Sequence, residues 1–432
     1  MHGRIKQVNK IVSVFNGTRR DFLKGTVAIA ASALAAPAIA QSRPLRIGFV
    51  SPSTGPLAGA AAGDPFVLEN LRSALAGGIT VDGGSKRAVE IVVRDCQSNA
   101  NRSSEVAADL ILREGVDIMC ASIHSLTVTP VADQCELNGV PLVSSITPWE
   151  TQVSGRGATP DKPFRYQLHM FWGFSEVSAT YMDIWRQLKT NKVVGALWPN
   201  NTDGQGFAKG FPPLLQEQAY TLVDPGRYQD LTDDYSSIIQ LFKKSGVEII
   251  SGNVLAPDWT TFWTQAAQQG FKAKAATTAA ALAFASTAEQ LGPLAQNHSF
   301  DLFWHPTFPY KSSITGQTAA DYAAAFESST GRQWNQIIGT VHATLETAID
   351  TLKRSGGGDR EANREALFKT NLPTIQGPIV AGSGPAPNVV ITPLTGAQWR
   401  MTKGGKHPFE PIIVSNVSAR DVPVAGPAEA TS

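Results

Sequence analysis

Short apolar runs alternate along the chain with segments whose apolar residues recur every three or four positions. Runs at 45–50, 89–93, 116–121 and 140–143 predict strands. Between them, 65–75 (Phe66, Val67, Leu71, Leu75), 101–114 (Val106, Leu110, Ile111) and 129–138 predict helices, with Gly77, Gly115 and Gly139 as stop signals. The rhythm resumes in the second half. Helices at 176–189, 205–218, 233–245 and 257–269 alternate with strands at 192–198, 220–223 and 247–250. Strands separated by helices of about 10–15 residues make βαβ units, and hence parallel sheets covered on both faces. A single sheet would need about ten strands, so two lobes are the natural division at this length. The Gly/Pro-rich interval 155–163 separates the two rhythms.

The first forty residues read as an address rather than as part of the fold. Thr18-Arg19-Arg20-Asp21-Phe22-Leu23-Lys24 is followed by a short apolar stretch and then Ala38-Ile39-Ala40. A basic segment, a short apolar segment and a small-residue cleavage site make a secretory signal, and the paired arginines resemble the twin-arginine signal of bacteria. The expectation is export to the periplasm by that route, with cleavage after Ala40. Six of the 37 basic residues and one of the 36 acidic ones fall in this leader. The mature chain then carries 31 basic and 35 acidic groups, a net charge near −4. Such a protein has no general attraction for nucleic acid, so no nucleic-acid partner is expected.

Charged residues make up 17% and hydrophobic residues 42% of the 432, ordinary values for globular cores. The three cysteines form no CxxC pair. In an oxidising compartment Cys96 and Cys120 could form a disulfide if their strands are neighbours; the alternative is three buried free thiols. No G-x-S-x-G, H-E-x-x-H or phosphate-loop motif occurs, and Gly204, Gly206 and Gly210 have the wrong spacing for a dinucleotide fingerprint. The seven histidines are dispersed, with none four residues from another. These readings point to no catalytic residue, no metal and no cofactor. In parallel α/β sheets, ligands bind at the carboxyl ends of strands. Three loops of the first half lie there: 53–59 with Thr54 and Gly55, 124–127 with His124 and Ser125, and 144–149 with Ile146 and Thr147. Their hydroxyls and free amides suit a small polar group, though Ser and Thr also cap helices.

These segments, in this order, resemble the leucine/isoleucine/valine-binding family of periplasmic solute-binding proteins that serve ABC transporters. Ile47-Gly48-Phe49 with Ser53-Thr54-Gly55-Pro56 is similar to the family's first strand and ligand loop. Arg94-Asp95-Cys96-Gln97-Ser98-Asn99, Ser125 ahead of Thr129-Pro130-Val131-Ala132, Gly139-Val140-Pro141-Leu142-Val143-Ser144, the 200–206 loop and Asp234-Tyr235-Ser236 carry the rest. The resemblance covers roughly 44–400. It implies an α/β fold of two doubly wound parallel-sheet lobes joined by a three-strand hinge, the type I periplasmic binding protein fold. Its N-terminal lobe would span 44–166 plus about 302–378, and its C-terminal lobe 167–301 plus about 379–420. The crossings would lie near 164–168, 302–306 and 378–380, with a flexible tail at 421–432.

By the same resemblance Ser125 corresponds to the serine that holds the ligand carboxylate, and 146–148 to further amides and a hydroxyl. Ala60 falls near a position where the family has an aromatic over the ligand. The second-lobe stretch 275–285 reads AATTAAALAFA and holds no acid to pair with a ligand ammonium. Trp149, Trp172, Trp198, Trp259 and Trp304 lie where rings could face a cleft. Trp198, Asn253 and Trp304 join the candidate ligand-binding set. The expected ligand is a small carboxylate or amide with an apolar or aromatic part, or a branched-chain-type amino acid. The expected partner is a membrane ABC permease, and the chain itself is expected to be monomeric. A periplasmic sensor of the same fold, or an exported cofactor-dependent enzyme, are the competing functions.

Overall fold

The computed structural model describes residues 43–159 and 161–431. The expected leader over 1–40 and its cleavage after Ala40 lie outside the described residues. Two large sheets organise the chain. The first takes β1 (Leu45–Ser51), β2 (Val89–Asp95), β3 (Ile118–Ala121), β4 (Leu142–Ser145) and β5 (Gln167–Met170). The second takes β6 (Val193–Leu197), β7 (Thr221–Val223), β8 (Ile249–Val254), β9 (Ala275–Ala280) and β10 (Ser299–Leu302). The chain then returns β11 (Val389–Val390) to the first sheet and β12 (Leu394–Met401) and β13 (Phe409–Ser418) to the second.

The first sheet has the order β11-β5-β4-β3-β1-β2 and is parallel throughout. The second runs β13-β12-β10-β9-β8-β6-β7, with β12 alone reversed, antiparallel to both of its neighbours. In each sheet the chain begins one strand in from an edge, adds that edge strand, then crosses back to build the other side. That is the doubly wound plan expected of alternating strands and helices.

Burial explains why the strands read as continuous apolar runs. In β1 every residue but Arg46 is buried. Ile47 and Phe49 join the larger core with Val67 and Leu71 of α1 (Asp64–Leu75). Val50 faces the opposite layer, with Val106 and Leu110 of α2 (Ala100–Leu112) and Val128 and Val131 of α3 (Ser125–Asn138). α2 starts and α3 stops as their residue types require. Asn99 accepts the Arg102 amide at the start of α2, and Gly139 closes α3 at φ 65°, where a side chain would be strained. The α4 helix (Phe174–Gln187) opens the second lobe, and α5 (Thr202–Glu217) follows β6 there.

The longest helix among the described residues, α6 (Gln336–Ser355), has 16 of its 20 residues buried, against the first sheet. Its threonines are tolerated there because Thr344, Thr347 and Thr351 donate to carbonyls one turn back.

Three features differ from the sequence expectation. β5 and β11 both belong to the first sheet, so the chain passes between sheets at 171–173, after β10, and at 391–393. The stretch expected as a third crossing, 378–380, is instead one arm of a two-stranded ribbon, Asn371–Thr374 with Gly377–Val380. Cys96 and Cys120 do not pair, because β1 lies between β2 and β3. Two strand spacings, about 10 Å, exceed what a disulfide spans. The two thiols also belong to opposite core layers, and all three cysteines are free and buried. Finally, residues 421–431 are held rather than frayed. The Thr431 amide donates to Lys274 O (3.0 Å), Asn297 Nδ2 to Ala430 O (2.9 Å), and Arg400 pairs with Glu429 at 3.2 Å.

Candidate ligand-binding site

Each doubly wound sheet has one point where the chain reverses its direction of growth: between β1 and β3 in the first, between β6 and β8 in the second. Loops leaving the carboxyl ends on either side diverge there and leave a crevice. Here the loops of both lobes close around one cavity of about 250 Å³. The first lobe supplies 56–60, Ile123-His124, Ile146–Pro148 and Phe171-Trp172. The second supplies Asp203 and Phe207 of α5, Asn253 with 255–257, and Ala279 to Thr287 in part.

The wall is mainly apolar. Phe171, Trp172, Phe207, Phe284 and Phe303 bring five aromatic rings, and Phe171 meets Phe303 edge-on at 5.0 Å. Among the described residues, no lysine or arginine borders the cavity. The polar groups are few: His124, Asp203, Thr147 and Asn253, with Asp301, Ser286 and Thr287. An apolar wall with a small number of placed polar groups is what a small-molecule site requires.

One polar cluster spans the two lobes. His124 Nδ1 accepts the Leu126 amide at 3.2 Å, so the ring proton sits on Nε2. That nitrogen lies 3.1 Å from Asp203 Oδ2, and Thr147 Oγ1 lies 3.5 Å from the other carboxylate oxygen. Asp203 is placed by its helix start: Asn201 accepts the Gly204 amide and fixes the first turn of α5.

The backbone here is strained. Ile123 (φ 73°), His124 (φ 69°), Ile146 (φ 58°) and Ala280 (φ 66°) all border the cavity with left-handed dihedrals. For β-branched isoleucine this is a genuine outlier, and such strain gathers where a ligand or switch dictates geometry.

Of the residues singled out in the sequence, His124, Ile146, Thr147 and Asn253 border the cavity. Ser125 stands just beside it, 2% exposed, and its Oγ has no partner among the described residues. Thr54 instead bonds Asp95 (Oγ1 to Oδ2, 2.6 Å), and Gly55 makes the turn at φ 86°, where a Cβ would lie 2.7 Å from Gln97 O. Their neighbours Pro56 and Leu57 reach the cavity in their place.

The reading of Trp198 and Trp304 as cleft-facing is corrected, since both are fully buried in the core. Trp198 packs edge-on to Phe211 under the Arg227 guanidinium, and Trp304 Nε1 donates to Ile375 O at 3.2 Å. Of the five tryptophans considered, only Trp172 borders the cavity.

The missing second-lobe acid is also corrected. The 275–285 stretch holds none, but Asp203 and Asp301 both border the cavity from other elements. Ala60, where the resemblance implies an aromatic, is itself part of the wall.

The sequence model of the periplasmic binding protein family matches residues 44–406. Covering most of the chain, this match shows that the chain belongs to that family. A leucine-binding protein from Thermotoga maritima shares 19% identity, with 85% of this chain and 98% of that one covered and a TM-score of 0.69. A branched-chain amino acid transporter substrate-binding protein from Streptococcus pneumoniae, solved with isoleucine, shares 16% over 86% and 100% of the chains (TM-score 0.68). A Rhodopseudomonas palustris solute-binding protein solved with 4-hydroxybenzoate shares 15% over 86% and 96% (TM-score 0.70). At such identities the likeness is one of fold. No curated protein sequence matches. Among the described residues, no helix is long and apolar enough to cross a membrane.

Proposed function

We propose that this protein captures a small molecule with an apolar or aromatic body and a polar end, carboxylate or amide, between its two lobes. It then delivers that ligand to an ABC permease in the membrane, having reached the periplasm by the twin-arginine route. The observation that carries this reading is the interlobe cavity, walled by five aromatic rings and anchored by the His124–Asp203–Thr147 cluster. At about 250 Å³ it suits a compact metabolite rather than a peptide or sugar chain. Relatives of this fold solved with 4-hydroxybenzoate and with isoleucine fall on either side of that description. A branched-chain-type amino acid is the second reading, favoured by Asp203, whose carboxylate at the cavity offers a partner for a ligand ammonium.

Native mass spectrometry of the purified mature protein, followed by a thermal-shift screen of aromatic acids, short amides and amino acids, tests both. A ligand at 100 times its dissociation constant stabilises the bound form by about 2.7 kcal/mol, a clear shift. Hits among aromatic acids or amides support the first reading, and hits confined to α-amino acids support the second. No retained ligand and no hit in any class would overturn both.

A further inference from the structure

The cavity has a second polar end that the His124–Asp203 cluster does not reach. His124 follows β3 and Asp203 follows β6, whereas Phe171 follows β5 and Phe303 follows β10. The two lobes therefore meet twice, once at His124 with Asp203 and once at Phe171 with Phe303. In the second sheet β6 and β10 are three strand spacings apart, about 14 Å. The cavity is thus elongated, with the interlobe cluster at one end and the hinge strand β10 at the other.

Asp301 stands at the hinge end, on β10, 3% exposed and on the cavity wall. The Tyr181 hydroxyl of α4 donates to its Oδ1 at 2.9 Å. Gln336 Nε2 donates to the Asp301 backbone carbonyl, not to the side chain. Besides Tyr181 only the Asp301 amide itself serves this carboxyl, and among the described residues no lysine or arginine borders the cavity. A buried carboxyl on a cavity wall with no cation beside it is costly to keep ionised unless a further donor arrives to bond it.

We infer that Asp301 forms a ligand subsite at the hinge end of the cavity, reading a hydrogen-bond donor, a hydroxyl or an N–H, on the far end of the ligand. The inference rests on the proposed capture of a small ligand between the lobes and narrows it: the ligand is polar at both ends and apolar between. Burial pushes the Asp301 carboxyl up to about 7, against the pull of the Tyr181 hydrogen bond. An arriving donor stabilises the ionised form that burial disfavours.

Matched probes that differ in one donor test this. The pairs are benzoate and 4-hydroxybenzoate, benzamide and 4-hydroxybenzamide, L-phenylalanine and L-tyrosine, and L-valine and L-threonine. Dissociation constants are measured by calorimetry on the wild type and on the double variant Asp301→Leu/Tyr181→Phe. That variant removes both partners together, so no hydroxyl is orphaned. In the wild type, the donor-bearing member of a pair that binds should do so at least tenfold more tightly. In the double variant the preference within each pair should disappear. Should the double variant not fold, Asp301→Asn, which places an N–H₂ group in the carboxylate's position, is expected to abolish the preference. Equal binding within every pair on the wild type, or a preference that survives both variants, overturns the subsite while leaving ligand capture intact. A wild type that binds none of the eight probes overturns the capture of such ligands, and the subsite with it.

Discussion

Ser125 and Trp198 respond in opposite ways to the same substitution. The Ser125 hydroxyl is buried without a partner beside the cavity. Ser125→Ala should leave the melting temperature of the empty protein unchanged or slightly raised, because no bond is lost. Ligand affinity should fall by about 1–3 kcal/mol if the hydroxyl meets a buried ligand atom. Trp198→Ala should instead cost about 3–5 kcal/mol of stability, read by denaturant unfolding, since it empties a packed site against Phe211.

At this scale the sequence showed positions better than directions. His124, Ile146, Thr147 and Asn253 were legible because they follow strands, and strand ends of a parallel sheet converge on a crevice. A tryptophan at a strand end carries no such information. Trp198 ends β6 as Phe171 ends β5, but its indole turns back onto α5 while the phenylalanine turns out. Asp203 was hidden for a related reason: it lies in the first turn of a helix, where an acid ordinarily serves the helix itself.

Elements were more readable than side chains wherever the apolar rhythm was strong. The alternation from β1 to β8 was visible because strands covered on both faces are apolar throughout and the helices between them carry one apolar stripe. It faded beyond 270. β11 has two residues and no period to detect, and α6 is buried on nearly every side. The second strand of the 371–380 ribbon was mistaken for a crossing because a short extended run looks alike in either role.

The start of α5 offers a test of how an element sets the site. A Cβ on Gly204 would lie 2.1 Å from Pro199 O, a backbone atom that cannot swing aside. Gly204→Ala should therefore shift the first turn and Asp203 with it, costing about 1–3 kcal/mol of stability. It should also weaken ligand binding well beyond what Gly59→Ala does, where nothing lies within 4 Å. Equal affinities in the two variants would separate the placement of Asp203 from binding.

The whole molecule buries two opposed sets of titrating groups. Burial pushes Asp64, Glu150, Asp301 and Glu346 up to about 7. The unfolded chain releases those protons near pH 4, so their contribution to stability falls as pH rises from about 4 to 7. Burial also pushes His169 and His305 down to about 4, and His298 and His342 to about 3. The unfolded chain takes up those protons near pH 6.5, so this contribution is lost as pH falls from about 6.5 toward 4. Over the shared window the two slopes oppose each other, and the melting temperature should be nearly flat between about pH 4.5 and 6.5. Glu346→Gln should make it drop on acidification across that window, and His298→Asn should make it climb. Parallel profiles in the two variants would show that these groups do not set the plateau.

One consequence follows from the strand that separates Cys96 from Cys120. With no cross-link to form and every thiol enclosed, the chain needs no oxidant to complete its fold. Glutathione or dithiothreitol should leave its melting temperature unmoved, and the native state is within reach in a reducing cytosol before any membrane is crossed. The order of strands in the first sheet thus frees the folding of this chain from any oxidising step.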